Sequence, residues 1–115
     1  MTSSSKIHVG TVGVNTVLTI KESLTFQTCE ELQKVFNQVF NRSRNRIVLD
    51  VKAVQYMDSQ ALELLLTMHD SLTNSGGILK IAGLTGTCRD ILVATRLINL
   101  FHVYGDLPEA LRGGL

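Results

Sequence analysis

Ile47-Val48-Leu49-Asp50-Val51, followed a few residues later by Asp58-Ser59-Gln60-Ala61-Leu62, is the stretch that decides the fold. The first run is short, apolar and partly β-branched, which reads as a buried strand. Beyond the second, Ala61, Leu62, Leu65, Met68 and Leu72 recur at spacings of three and four, the helical period, so a helix is predicted from Gln60 to Leu72. A buried strand that turns through a short polar junction into an amphipathic helix is a building unit of α/β folds. The junction gathers free backbone N–H groups and the positive end of the helix dipole. Either Asp58 or Ser59 is able to serve as the N-cap, worth about 1 kcal/mol against alanine. A phosphoryl group on Ser59 would be electrostatically welcome within its own chain, and it would change what a partner meets.

Upstream, residues 7–14 and 16–21 carry β-branched residues around Gly10, Gly13 and Asn15 and read as two strands. Thr28-Cys29-Glu30-Glu31 has the form of a capping box and opens a helix. Its apolar stripe is Leu32, Val35, Phe36, Val39 and Phe40. Arg42, Arg44 and Arg46 then form a basic loop, read as solvated rather than as a binding patch. Downstream, Asn74-Ser75-Gly76-Gly77 suits a left-handed C-cap. Residues 78–84 form a strand, and Thr87 is the expected cap of a helix carrying Ile91, Leu92, Thr95 and Leu97. A short strand at 101–104 precedes a capped segment from Asp106 to Leu111 with an early proline. Strands separated by helices need parallel crossovers. The expectation is a mixed sheet of four to five strands with about four helices packed mainly on one face, the other face being wetter.

The chain has 115 residues, of which 44% are hydrophobic and 18% charged, enough apolar content for a packed core. One domain over residues 1–115, with its core at about 7–112, is expected at this length. A net charge of +1 favours neither nucleic acid nor an anionic membrane. The start lacks an apolar segment of signal-peptide length, and no stretch reaches the roughly 18 apolar residues of a membrane span. A cytoplasmic location without membrane insertion is the reading. Cys29 and Cys88 read as small apolar packers. His8, His69 and His102 lie in different elements without ligand spacing, so neither metal nor cofactor is expected. The glycines do not make a phosphate-binding loop, and Ser59 lacks the flanking glycines of a nucleophile elbow. No pattern argues for an enzyme.

Taken together, Ile47–Val51, Val54-Gln55-Tyr56-Met57-Asp58-Ser59-Gln60-Ala61-Leu62 and Gly76-Gly77-Ile78-Leu79-Lys80-Ile81-Ala82 resemble the STAS domain family. The members most similar are the single-domain bacterial anti-sigma factor antagonists. The resemblance runs from about residue 7 to residue 112, with Asn99–Tyr104 and Glu109-Ala110-Leu111 matching the closing strand and helix. It implies that Ser59 is the phosphoacceptor. It also implies that the partner is an anti-sigma factor with serine-kinase activity, which is sequestered while Ser59 is unphosphorylated, and that a phosphatase restores binding. Asp58, Gln60, Ala61, Leu62, Glu63 and Leu66 are the expected partner-binding residues. Leu62, Leu64, Leu65, Leu66 and Met68 make an apolar band too wide for one sheet face, so part of it is expected to stay accessible. Two departures bear on the partner: Gln60 and Ala61 stand where the family usually has Ser or Thr followed by Gly. Glu22-Ser23-Leu24-Thr25 replaces its Gly-x-Leu-Asp. The alternative reading is a STAS subunit docked on a transporter ATPase for lipid or solute movement.

Overall fold

The structure, a computed structural model, describes residues 6–40 and 45–112. Strand β1 (Ile7–Val12) turns back through Gly13-Val14 into β2 (Asn15–Ile20), pairing Val12 with Asn15 and Ile7 with Ile20. Gly13 has φ +62° and holds the first place of the two-residue turn, where a type II′ hairpin wants glycine. There follow α1 (Phe26–Phe40), β3 (Arg46–Asp50), α2 (Ser59–Asn74), β4 (Ile78–Ala82), α3 (Gly86–Ala94), β5 (His102–Tyr104) and α4 (Leu107–Arg112). The sheet order is β1-β2-β3-β4-β5, and every pair after the first is parallel. This is the mixed sheet expected, with five strands and four helices.

Alternation along the central strands divides the molecule into two cores. Leu18, Ile20, Ile47, Leu49, Leu79 and Ile81 meet the buried stripes of α1, α2 and α3, including Leu32, Phe36, Leu65, Met68 and Leu92. On the opposite face Val17, Val48 and Ala82 meet Ala110 of α4, flanked by Tyr104, Leu107 and Leu111. Three helices thus cover one face and one short helix the middle of the other. Lys80 belongs to this second face and is only 1% exposed. Its Nζ donates to the Ala110 carbonyl at 2.9 Å and lies 5.3 Å from the centre of the Tyr104 ring. Burial, with the Arg46 guanidinium adding to it, holds its ammonium below the usual lysine range.

Two helix starts differ from the sequence expectation, both for tertiary reasons. Helix α1 opens at Phe26, with Cys29 N donating to Thr25 O at 2.8 Å, and Thr28 is buried inside the first turn. Leu24 is held extended against Met57, since Leu24 N donates to Tyr56 O and Asp58 N to Leu24 O. The helix starts as soon as that contact is left behind. Helix α3 is capped by Thr85, not Thr87. Thr85 Oγ1 accepts from Cys88 N at 3.3 Å and donates to Val54 O at 3.0 Å, so the cap also ties the helix to the β3–α2 loop.

The helix ends follow local chemistry. Gly76 (φ +81°) ends α2, with Gly77 N donating to Leu72 O and Gly76 N to Thr73 O, the bond pair of a Schellman motif. Gly77 is required for a second reason: a Cβ there would strike the carbonyl of Asn45, which accepts from Ile78 N. Helix α3 ends in the same bond pattern at Leu92 and Val93, but the left-handed residue is Arg96, with φ +65°. Thr95 is therefore the C-cap and Leu97 lies beyond the helix, whereas the sequence periodicity places both on it. Of the arginine loop, Arg42 and Arg44 fall outside the described residues, while Arg46 opens β3 half-buried.

Candidate functional site

The site is built where β3 delivers the chain to α2. Asp50 ends the strand, its Oδ1 accepting from Lys52 N at 3.3 Å. A turn closed by Val54 N to Val51 O buries Val54, whose carbonyl accepts from the Thr85 hydroxyl and from the Cys88 thiol at 3.4 Å. Tyr56 and Met57 then run beside Leu24, with Met57 buried and Tyr56 half exposed at 50%. The loop is pinned on both sides, by α3 and by the segment before α1, so the residues that follow it have a fixed aim.

Asp58 takes extended backbone angles (φ −94°, ψ −177°), and its Oδ1 accepts from Ala61 N at 2.9 Å. It is therefore the N-cap, and the choice between Asp58 and Ser59 is settled. Ser59 is the first residue of α2 and is exposed. Among the described residues no hydrogen bond engages its hydroxyl. A hydroxyl is thus held at the positive end of a 16-residue helix without a structural duty of its own.

The surroundings mix apolar and polar groups. Beside the junction, α1 and α2 leave a groove of about 490 Å³ whose walls include Phe26, Glu30, Lys34, Gln60 and Glu63. Phe26 is 54% exposed. Cys29 lies on this groove, nearly buried; desolvation, with the Asp58 carboxylate adding to it, pushes its thiol up to about 11. Cys29 is accordingly a neutral thiol at physiological pH, and Cys88 is also free and buried. Of the residues singled out in sequence, Gln60 and Glu63 stand exposed around Ser59, with Asp58 partly so. Ala61 is buried beneath them, where a larger side chain would meet the core. Leu62 and Leu66 are half-buried against the main core rather than open, so the accessible part of the apolar band is narrow. Phe26 and Tyr56 are exposed aromatics that the sequence pattern does not mark as surface residues. Their one signal is that of large apolar residues outside the helical stripes.

His69 packs edge-on against Phe101, with ring centres 5.6 Å apart, while His8 and His102 lie exposed on strands. Among the described residues no three His, Cys, Asp or Glu side chains converge as metal ligands, and no helix is long and apolar enough to cross a membrane.

The STAS domain family matches residues 6–110, which takes in every strand of this sheet and the first four of the six residues of α4. The chain belongs to the STAS family. An anti-sigma factor antagonist of Thermotoga maritima is 26% identical to this STAS domain over 77 residues, covering 67% of this chain and 68% of the relative. The crystal structure of an anti-sigma factor antagonist from Thermotoga maritima superposes with a TM-score of 0.87 at 22% identity, covering 94% of this chain and 93% of that one. SpoIIAA, a Bacillus cell fate determinant in its phosphorylated form, superposes with a TM-score of 0.73 at 16% identity, covering 92% and 96% of the two chains. At these identities the superpositions establish a shared fold.

Proposed function

We propose that this STAS domain is an anti-sigma factor antagonist: a cytoplasmic, non-enzymatic binding module switched by phosphorylation of Ser59. Its partner is an anti-sigma factor that is also a serine kinase. The complex forms while Ser59 carries a free hydroxyl, ends on phosphoryl transfer to that hydroxyl, and is restored by a phosphatase. The observation that carries this reading is the division of labour at the start of α2. Asp58 supplies the cap, so the exposed Ser59 hydroxyl is available to chemistry without cost to the helix. The Thermotoga relative's name, an anti-sigma factor antagonist, supports the binding role, and the phosphorylated form of the Bacillus protein supports control by phosphate.

The surface offered to the partner is Ser59 with Asp58, Gln60 and Glu63, flanked by Phe26 and Tyr56; Leu62 and Leu66 shape its edge. A phosphate added here carries a charge of about −1.5 to −2. A partner carboxylate about 4 Å away would then oppose binding by on the order of 4 kcal/mol per unit charge at an effective dielectric near 20. Even half of that weakens binding more than tenfold, at about 1.4 kcal/mol per decade. The test is affinity capture from the native cell, followed by phosphosite mapping and by incubation of the captured partner with ATP. An ATP-binding anti-sigma factor that labels the parent but not Ser59→Ala supports the proposal. Capture of a transporter ATPase, with no labelling of Ser59, favours the transporter-subunit reading instead.

A further inference from the structure

Strand β1 forms one edge of the sheet. It pairs with β2 on one side, and among the described residues no strand lies on its other side. The ladder tells which backbone groups point out. Lys21 N donates to Lys6 O at 2.9 Å, so these two residues form a hydrogen-bonded pair. Bonded and non-bonded pairs alternate along an antiparallel ladder. His8, Gly10 and Val12 therefore turn their N–H and C=O towards β2, while Val9 and Thr11 turn theirs outward.

Natural sheets blunt such an edge with lysine, proline, inward charge or a bulge. Ile7-His8-Val9-Gly10-Thr11-Val12 has no proline and no acidic, lysine or arginine residue, and its register against β2 is unbroken. Val9 and Val12 are 39% and 49% exposed. An uncharged edge with outward hydrogen-bonding groups fits an extended strand.

We propose that β1 is a dimerisation edge whose occupant is β1 of a second copy, antiparallel, about a two-fold axis at Gly10. In that register Val9 opposes Thr11 of the second copy and Thr11 opposes its Val9, each pair exchanging two backbone bonds, about four in all. Gly10 meets the second copy's Gly10 as a non-bonded pair, the closest approach in the ladder, at about 4.5 Å between Cα atoms. Neither brings a side chain to that approach, and even an added Cβ would find only His8 Nε2, at 3.8 Å. Symmetry would set any charge on this strand close to its own copy, and the strand carries none of the permanent ones. Self-pairing also closes at two subunits, whereas pairing β1 with the β5 edge of another copy would propagate. One strand pair buries less than the roughly 1,200 Å² of a standard interface, so dissociation is expected on the order of tens to hundreds of micromolar. Ser59 follows β3, two strands in from this edge, and stays open in such a dimer; the inference stands independently of the proposed function.

Sedimentation velocity between about 10 µM and 1 mM tests it. The parent is expected to pass from monomer to dimer across that range. Thr11→Pro deletes an outward N–H, and Thr11 lies opposite Thr16 at a non-bonded position, so the β1–β2 ladder survives. That variant should remain monomeric with the parent's circular dichroism; should it fail to fold, Val9→Lys, at an exposed position, takes its place. Gly10→Cys should form an intermolecular disulfide on air oxidation, because the axis holds the Cα atoms within bridging range, while Cys29 and Cys88 are buried. A parent that is monomeric at about 1 mM overturns the proposal and leaves the edge to a strand from another protein. A folded edge variant that dimerises like the parent also overturns it, as does a dimer in which Gly10→Cys does not cross-link.

Discussion

At Asp58 and Ser59 adjacent side chains separate structure from chemistry. The Asp58 carboxylate satisfies Ala61 N, so Asp58→Ala should cost about 1 kcal/mol in urea denaturation. Ser59→Ala should stay within about 0.5 kcal/mol of the parent, since its hydroxyl caps nothing. Equal losses at the two positions would mean that Ser59 shares the cap. Cys29, beneath them, carries a pH signature. Its thiol titrates near about 11 in the fold against 9.0 for an ordinary cysteine. The folded state therefore keeps a proton that the unfolded state gives up. The stability this contributes is full below pH 9 and is lost as pH rises through about 11. Lys80 acts with the opposite sign: its lowered pKa raises stability as pH climbs towards the ordinary lysine value of 10.5. The difference between parent and Cys29→Ala isolates the cysteine. Urea midpoints at pH 7, 9 and 10.5 should show the parent losing ground relative to the variant only at the higher values.

Elements of this fold end by rules that sequence shows, with one exception that invites a substitution. Helix α3 closes with Arg96 in the left-handed region, where a Cβ is unfavourable and glycine is at ease. Arg96→Gly relieves that strain, partly offset by the freedom glycine has when unfolded, and should stabilise by about 0.5–1 kcal/mol. A lower melting temperature would show that the Arg96 side chain makes a compensating contact. On the other face of the sheet, α4 is only six residues long and relies on few apolar contacts and on Lys80. Lys80→Ala removes both the stem that fills this face and the bond to Ala110 O. It should cost about 2–4 kcal/mol and speed amide exchange in α4 more than in α2. Uniform acceleration throughout the domain would instead place Lys80 in the global core.

For the molecule as a whole, the proposed switch predicts that charge at Ser59 changes binding without changing the fold. The free N–H groups and dipole at the start of α2 offer a phosphate about 0.3–2 kcal/mol, and Asp58 keeps its cap. Ser59→Asp should therefore match the parent in circular dichroism and melt within a few degrees of it, yet bind the anti-sigma partner more than tenfold more weakly by calorimetry. Tight binding by Ser59→Asp would remove the switch from Ser59. The sequence by itself determined the order of elements, the helical stripes, the strand at 47–51, the glycine end of α2 and the junction at Asp58-Ser59. Periodicity, β-branching and capping are local properties, written within a few residues of where they act. Only the tertiary structure decided that α1 starts at Phe26, because Leu24 is held by Met57, and that Thr85 caps α3, because its hydroxyl also serves Val54. The fold likewise chose Asp58 over Ser59 as the cap, buried Lys80 under α4, and left Phe26 and Tyr56 exposed. Each of these depends on contacts between segments far apart in the chain, and a local pattern carries no record of what lies across the space between them.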